Sequence, residues 1–430
     1  MSLSNIKVLD LTRILAGPYC TQLLADLGAR VTKLESLSGD DTRTWGPPFL
    51  QDGGSCYFGG INRNKRSVAV DIKKDLKDGG KILERLIEDS DVVVHNFLPK
   101  SAGEHALLRS LLCSHTHLFV HTHTNPSAAN LGLSYDAVRS INPNIVYCAI
   151  SGFGTLGIYA GRGGYDVIVS GMYGLMDITG NEADEVGVKC GVAVTDVMTG
   201  VVASQAIVSK LYERDVNPGQ VPFSGEISCS LMETQLSMLS NVASSTLNTP
   251  ASTIRKPRYG NAHESVVPYE TFVCQDGRSM VVAGANDKQF ANLCDALELT
   301  MEEEWRVNKD RVTHRDGLIA AMTDTFIQRT RDEWTRHFET LTMTFPYGPV
   351  RSVEEAFDCQ QVKDNDVVVT VAGKTPEQSI RMVKHPATHT GVIEQFKYPP
   401  MLGEHTRDVL KEAEFTDAEI DALFDRNVVK

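Results

Sequence analysis

Up to about residue 152 the chain alternates between short apolar runs and stretches with helical spacing, and no other feature restricts its fold as much. Residues 6–11 (IKVLDL) read as a strand, and 12–18 (TRILAGP) as a turn whose Pro18 suits a first helical position. Residues 19–27 have helical spacing, and 29–34 (ARVTKL) return to strand. A second unit repeats the pattern: strand 67–72 (SVAVDI), helix 75–88, strand 91–97 (DVVVHNF), helix 134–141, strand 144–151 (NIVYCAIS). Continuous apolar runs joined by helices predict an α/β domain with a doubly wound, Rossmann-like parallel sheet buried on both faces. Ligands of such sheets bind at the carboxyl ends of the strands, where Leu15, Asn96, Phe97 and Gly152 would lie. No G-x-G-x-x-G follows the first strand, so a dinucleotide site has little support.

At 430 residues the chain exceeds one ordinary core, and two domains are expected. We read residues 1–225 as a large Rossmann-like domain, 226–250 as a linker helix, 251–342 as a smaller α+β domain, and 343–430 as a segment returning to the large one. Within the smaller domain, 267–284 predicts a hairpin turning at Asp276 and Gly277, and beyond it FPYGPV (345–350) predicts a hinge. A net charge of −13 without a basic stripe argues against nucleic acid, and no apolar run approaches the ~20 residues of a membrane span. Nine cysteines without a C-x-x-C pair suit a reducing compartment and exclude both a disulfide framework and a zinc ribbon. The sequence enters a strand almost at once, with no visible presequence.

Residues 103–128 break the pattern with His115, His117, His121 and His123. Their H-x-H-x₃-H-x-H spacing matches no common structural zinc site, and no metal is expected. NFLPKSA would join ANLGL cleanly without the stretch, which reads as an insertion of retained intron sequence.

Two carboxylates, Asp166 and Asp196, stand in the otherwise small and apolar stretch 162–205 with almost no cation nearby. A carboxylate buried without a partner is costly, so such a group is protonated, bonded to amides, or functional. Asp196 falls between a β-like run, 192–195, and a helical run from Val201, which suits a helix N-cap. A reactive carboxylate in a sheltered pocket fits the same pattern. No G-x-S-x-G, H-E-x-x-H or P-loop offers other chemistry.

Several motifs occur together and in order: VLDLTRILAGPYCTQLLADLGARVTKLE, SGDDTRTW, NRNKRSVAVDI, VVVHNF, GYD, VAVTDVMTG, PYGPV and PPMLGEHT. Together they resemble the class III CoA-transferases, the family that includes formyl-CoA transferase, carnitine CoA-transferase and the α-methylacyl-CoA racemases. GDDTRTWGPPF, GLMDITG, HESVVPYETF and VVAGANDKQFANLC are similar to the branch that hands CoA from succinyl-CoA to dicarboxylates such as glutarate or 3-hydroxy-3-methylglutarate. The resemblance implies a homodimer of two chains interlocked like rings, each large domain being built from both chain ends. It also implies an acyl-CoA and a dicarboxylic acid as partners, no tightly bound cofactor, and a location in the mitochondrial matrix or cytoplasm. A racemase and a non-catalytic CoA-binding homologue are the alternatives.

Carried onto this sequence, the resemblance makes Asp196 the nucleophile. It places Leu15, Ala16, Lys65, Arg66, Asn96, Phe97, Arg162, Tyr165 and Asp166 around CoA, with Asp166 in support. Arg43, Trp45, Arg258, Gly260, Asn261 and His263 are the candidates for the acyl group and its far carboxylate. Ser36 and Asn130 stand where the family commonly has CoA-contacting arginines.

Overall fold

The computed structural model describes residues 2–72, 78–97, 131, 133–219, 223–250, 258–342, 344–387 and 395–430. The histidine-bearing stretch 103–128 and Asn130 lie outside the described residues. The chain divides into two compact units, one of Met1–Tyr173, Cys190–Leu247 and Val367–Lys430, the other of Gly174–Lys189 and Asn248–Asp366.

The first unit is organised on six strands: β1 (Lys7–Leu11), β2 (Arg30–Glu35), β3 (Lys65–Ala69), β4 (Val92–His95), β5 (Val146–Ser151) and β6 (Glu226–Ser230). They pair in parallel in the order β3-β2-β1-β4-β5-β6, with Leu9 opposite both Thr32 and Val93. The all-parallel order makes this a mixed α/β fold with a Rossmann-like sheet. Every residue of β4 is buried, as a strand covered on both faces requires.

The helices of this unit that bear on the site are α1 (Ala16–Asp26), α2 (Cys56–Ile61), α3 (Asp78–Glu88), α4 (Tyr135–Ile141), α5 (Asp166–Met172), α6 (Val194–Val216) and α7 (Leu231–Met238). One face of the sheet is covered by α1 and α6, with Ala203, Ile207 and Leu211 at four-residue spacing beside Val8, Cys20 and Leu24. The other is covered by α3 and α4 together with the C-terminal helices Thr406–Glu412 and Asp417–Asp425, whose Leu410 and Ile420 are fully buried. The C-terminal residues therefore complete the first core.

Gly200 lets α1 and α6 meet, since a Cβ there would stand 2.7 Å from the Ala16 carbonyl oxygen. Gly200→Val is expected to destabilise the unit by roughly 1–3 kcal/mol through overpacking. An unchanged thermal unfolding curve would contradict that reading.

The second unit carries an antiparallel sheet of Tyr269–Val273, Ser279–Ala283 and Tyr347–Pro349. The expected hairpin is present, turning at Gly277 with φ +73°. Its core is aromatic, with Phe272 stacked on Phe326 at 4.9 Å and Trp334, Phe338 and Phe345 around them.

Three expectations about layout are corrected. The stretch expected to be a linker helix, 226–250, opens with the sixth strand of the main sheet. FPYGPV supplies a strand rather than a hinge, and the second unit runs on to Asp366. Residues 174–189, which include all of GLMDITG, belong to the second unit. Among the described residues no helix is long and apolar enough to cross a membrane.

Candidate active site

Strands β1 and β4 are neighbours, but the chain leaves them toward opposite edges of the sheet. This is the switch point where ligands of open α/β sheets bind. A cavity of about 280 Å³ opens there, lined by residues 13–16 after β1, Asn96 and Phe97 after β4, the end of β5 with Gly152, and residues 163–165. Asp196 reaches it from α6. Gly152 and Gly164 are both required by the wall, since a Cβ on Gly152 would come within 2.6 Å of the Gly164 Cα.

Asp196 is not the N-cap of its helix. The expected β-like run is already helical by Val194, Ala193 occupies the cap with no side chain to offer, and Asp196 is the third helical residue. Asp166 does the capping instead. Its Oδ2 accepts hydrogen bonds from the backbone N–H of Thr195 at 2.9 Å and of Asp196 at 3.4 Å. Gln235 of α7 reinforces the arrangement: Thr195 Oγ1 donates to its Oε1, and its amide donates to the carbonyls of Val169 and Tyr173 at the end of α5.

Asp196 is thereby left without a donor for its carboxylate among the described residues, and it is only 9% exposed. Burial, and secondarily the charge of Asp166, push its pKa up to about 7. A helix N-terminus favours the ionised carboxylate, and burial outweighs it. Tyr57 of α2 senses the same charges. Burial, then Asp196, Asp166 and Asp40, push its phenol up to about 12. Trp45 packs edge-on against Tyr57 with ring centres 5.1 Å apart. Nothing in SCYFGGIN pointed to Tyr57; only its placement shows its relation to Asp196.

The loop between β1 and α1 is held by side chains. Asp10 Oδ1 accepts from the Thr12 N–H, Lys33 Nζ donates to the Thr12 carbonyl at 2.7 Å, Asn96 both accepts from the Arg13 N–H and donates to the Arg13 carbonyl, and Asp40 Oδ1 accepts from the Ile14 N–H at 3.3 Å. Ile14 has φ +74°, a left-handed backbone that costs a β-branched residue about 1–3 kcal/mol. The N–H groups of Leu15, Ala16 and Gly17 at the start of α1 have no acceptor among the described residues, and Leu15 and Ala16 line the cavity. Unpaired amides at a helix N-terminus favour negative charge.

The structure thus gathers Leu15, Ala16, Asn96, Phe97, Tyr165 and Asp196 around one cavity, with Asp166 directly behind. Arg162 is exposed beside it, stacked over Phe153 and Tyr159 at 5.8 and 5.0 Å. Other expected contacts are corrected. Lys65 is 2% exposed and is engaged by Asp10, the Pro18 carbonyl and Asn62 beneath α1. With Lys33 it overcomes burial, which alone would raise the Asp10 pKa, and holds that carboxyl at about 2. Arg66 pairs with Glu412 and Thr32. Arg43 is engaged by Glu35 through two bonds of 2.7 and 2.8 Å and lies over the Phe58 ring, so its charge is already neutralised.

In the second unit, Arg258 donates to the backbone carbonyls of Asp177, Asn181 and Asp184, fastening the 174–189 segment instead of offering a free cation. Gly260, with φ +59°, donates to the Gly180 carbonyl, and Asn261 bonds Thr271. Both line a separate cavity of about 1040 Å³ within that unit. His263 Nδ1 accepts from the Ser265 N–H. Among the described residues no group of three or more His, Cys, Asp or Glu is placed to hold a metal ion.

The model of CoA-transferase family III matches residues 3–111 and 100–406. Succinyl-CoA:glutarate CoA-transferase of Mus musculus is 36% identical, the match covering 100% of this chain and 90% of that one. Succinate–glutarate CoA-transferase of Agrobacterium fabrum is also 36% identical, with 96% of each chain covered. Among solved structures, a CaiB/BaiF family protein from Brucella suis superposes with a TM-score of 0.77 at 33% identity, covering 95% of this chain and 98% of that one.

Proposed function

The chain belongs to CoA-transferase family III, and from that premise we propose that it moves CoA from succinyl-CoA to a dicarboxylate such as glutarate or 3-hydroxy-3-methylglutarate, with Asp196 as the nucleophile. The observation that carries this reading is the Asp196 carboxylate itself, sheltered, without a donor, and facing a cavity bordered by the unpaired amides of α1. An Asp196 oxygen attacks the thioester carbonyl, whose oxygen gains negative charge that the Leu15 and Ala16 amides stabilise. The carbon–sulfur bond breaks and leaves a mixed aspartyl–succinyl anhydride with the CoA thiolate. The thiolate attacks the aspartyl carbonyl, releasing succinate and forming an aspartyl–CoA thioester. The acceptor carboxylate attacks that thioester to give a second anhydride and thiolate. The thiolate then takes the acceptor's acyl group and frees Asp196. Exclusion of water protects each intermediate from hydrolysis.

Arg13, whose partner Asp41 is itself exposed, and Arg162 are the cations beside the cavity suited to an anionic ligand. Trp45, packed edge-on against Tyr57, remains a candidate for contact with the acyl group. Gly260, Asn261 and His263 remain candidates for contact with the acceptor. The commitment of Asp166 to the amides of α6 weighs against the racemase alternative, which would need it as a free base. Exposed Val167, Ile168 and Met172 on α5, with Val202, Val208 and Tyr212 on α6, support a homodimer in which a second copy covers them.

Mixing the protein with succinyl-CoA and glutarate should yield glutaryl-CoA by mass spectrometry. Folded protein that binds CoA yet forms no new thioester with glutarate would overturn this reading in favour of the racemase or the non-catalytic alternative.

A further inference from the structure

We propose that Asp40 is a positioning residue of the transfer reaction, assisted by Asn96, because it holds Ile14 in the left-handed conformation that aims the Leu15 and Ala16 amides into the cavity. This rests on the reading of Asp196 as nucleophile. Residues 12–14 contain no glycine and make no backbone-to-backbone hydrogen bond among the described residues. Their shape comes instead from side chains of four separate segments: Asp10, Lys33, Asp40 and Asn96.

Asp40 is the most deeply built of these holds. It is 1% exposed, its Oδ2 lies 2.9 Å from the fully buried Lys33 ammonium, and its own N–H donates to Glu35. Its Oδ1 serves the Ile14 N–H together with the Thr42 N–H and hydroxyl, so the carboxylate cannot turn away without breaking three bonds. Lys33 closes the circuit by donating to the Thr12 carbonyl at the other end of the same loop. A glycine at position 14 would adopt φ +74° freely; the chain instead keeps a β-branched residue there and clamps it. The residue so constrained stands immediately before the first free amide of α1. Relaxation of Ile14 would therefore swing those donors off the point where charge develops, and misplacement of about 1 Å is enough to cost on the order of a hundredfold in rate.

The test is steady-state CoA transfer from succinyl-CoA to glutarate by wild type, Asp40→Ala, and Asp40→Ala combined with Ile14→Gly. Asp40→Ala should lower kcat roughly tenfold to a hundredfold while KM for succinyl-CoA stays within about threefold, because the lost interaction matters in the transition state. Ile14→Gly should restore most of that loss, since glycine needs no clamp. A wild-type kcat in Asp40→Ala, or a loss that Ile14→Gly does not relieve, overturns the proposal while leaving the function intact. If Asp40→Ala does not fold, Asn96→Ala decides, since it loosens the same loop without stranding a buried charge: a kcat-specific loss supports the proposal and an unchanged kcat overturns it. Wild type that forms no glutaryl-CoA overturns the functional reading and this proposal with it.

Discussion

Asp196→Ala is expected to abolish transfer and, at neutral to alkaline pH, to make the protein more stable. Removing a covalent nucleophile costs on the order of 10⁴–10⁶-fold in rate. The substitution also removes a carboxylate held in a site that supplies no donor among the described residues, so the fold should benefit at the pH where that group is charged. The pairing of the two effects is diagnostic. A carboxylate that served only to hold the structure would show the opposite sign of stability, and a bystander would show neither effect. Steady-state rates and thermal unfolding at pH 8, measured on the same preparations, check both halves.

The second large effect is a pH dependence with its origin in the same group. The ordinary carboxyl value of 3.8 becomes about 7 in the fold, chiefly through burial and then through Asp166. The folded chain therefore holds this proton more tightly than the unfolded chain does. The stability so gained is whole below about pH 4 and is lost as pH rises through about 7. A carboxyl raised that far corresponds to on the order of 4 kcal/mol. Asp196→Asn, which stays neutral, should accordingly be more stable than wild type at pH 8 and lose that advantage near pH 4. Activity should run the other way, because only the ionised carboxylate attacks: kcat/KM should fall as pH drops below about 7. Asp166→Asn keeps an oxygen to accept from the Thr195 amide but removes the neighbouring charge, so it should move that limb to lower pH without returning it to the ordinary carboxyl range. A limb unmoved by Asp166→Asn would mean that the Asp166 charge does not reach Asp196.

The β–α alternation announced the sheet because strands buried on both faces must be apolar throughout, as Val92–His95 are. Strand β6, EISCS, escaped notice because it is an edge strand paired on one side only, and its polar residues break the apolar run. Motifs alone brought Asp196, Leu15, Ala16 and Asn96 together, and the cavity at the ends of β1 and β4 gathers the same residues. The electrostatics were not legible. That Asp166 caps α6 depends on a hydrogen bond to a residue 29 positions away, which no local pattern records. The cations were misjudged for a related reason. Lys65 and Arg43 look available in sequence, but sheet register brings Lys65 against Asp10, and the turn after β2 brings Arg43 onto Glu35. Ile14 gives no warning either, since isoleucine is among the residues least suited to positive φ.

The central claim is that Asp196 carries CoA covalently between the two acids, and rapid quenching after addition of succinyl-CoA alone tests it most directly. With no acceptor present, mass spectrometry should find CoA attached as a thioester to the peptide containing Asp196, with one succinate released for each adduct. Absence of any adduct on that peptide from protein that nevertheless transfers CoA to glutarate would contradict the account.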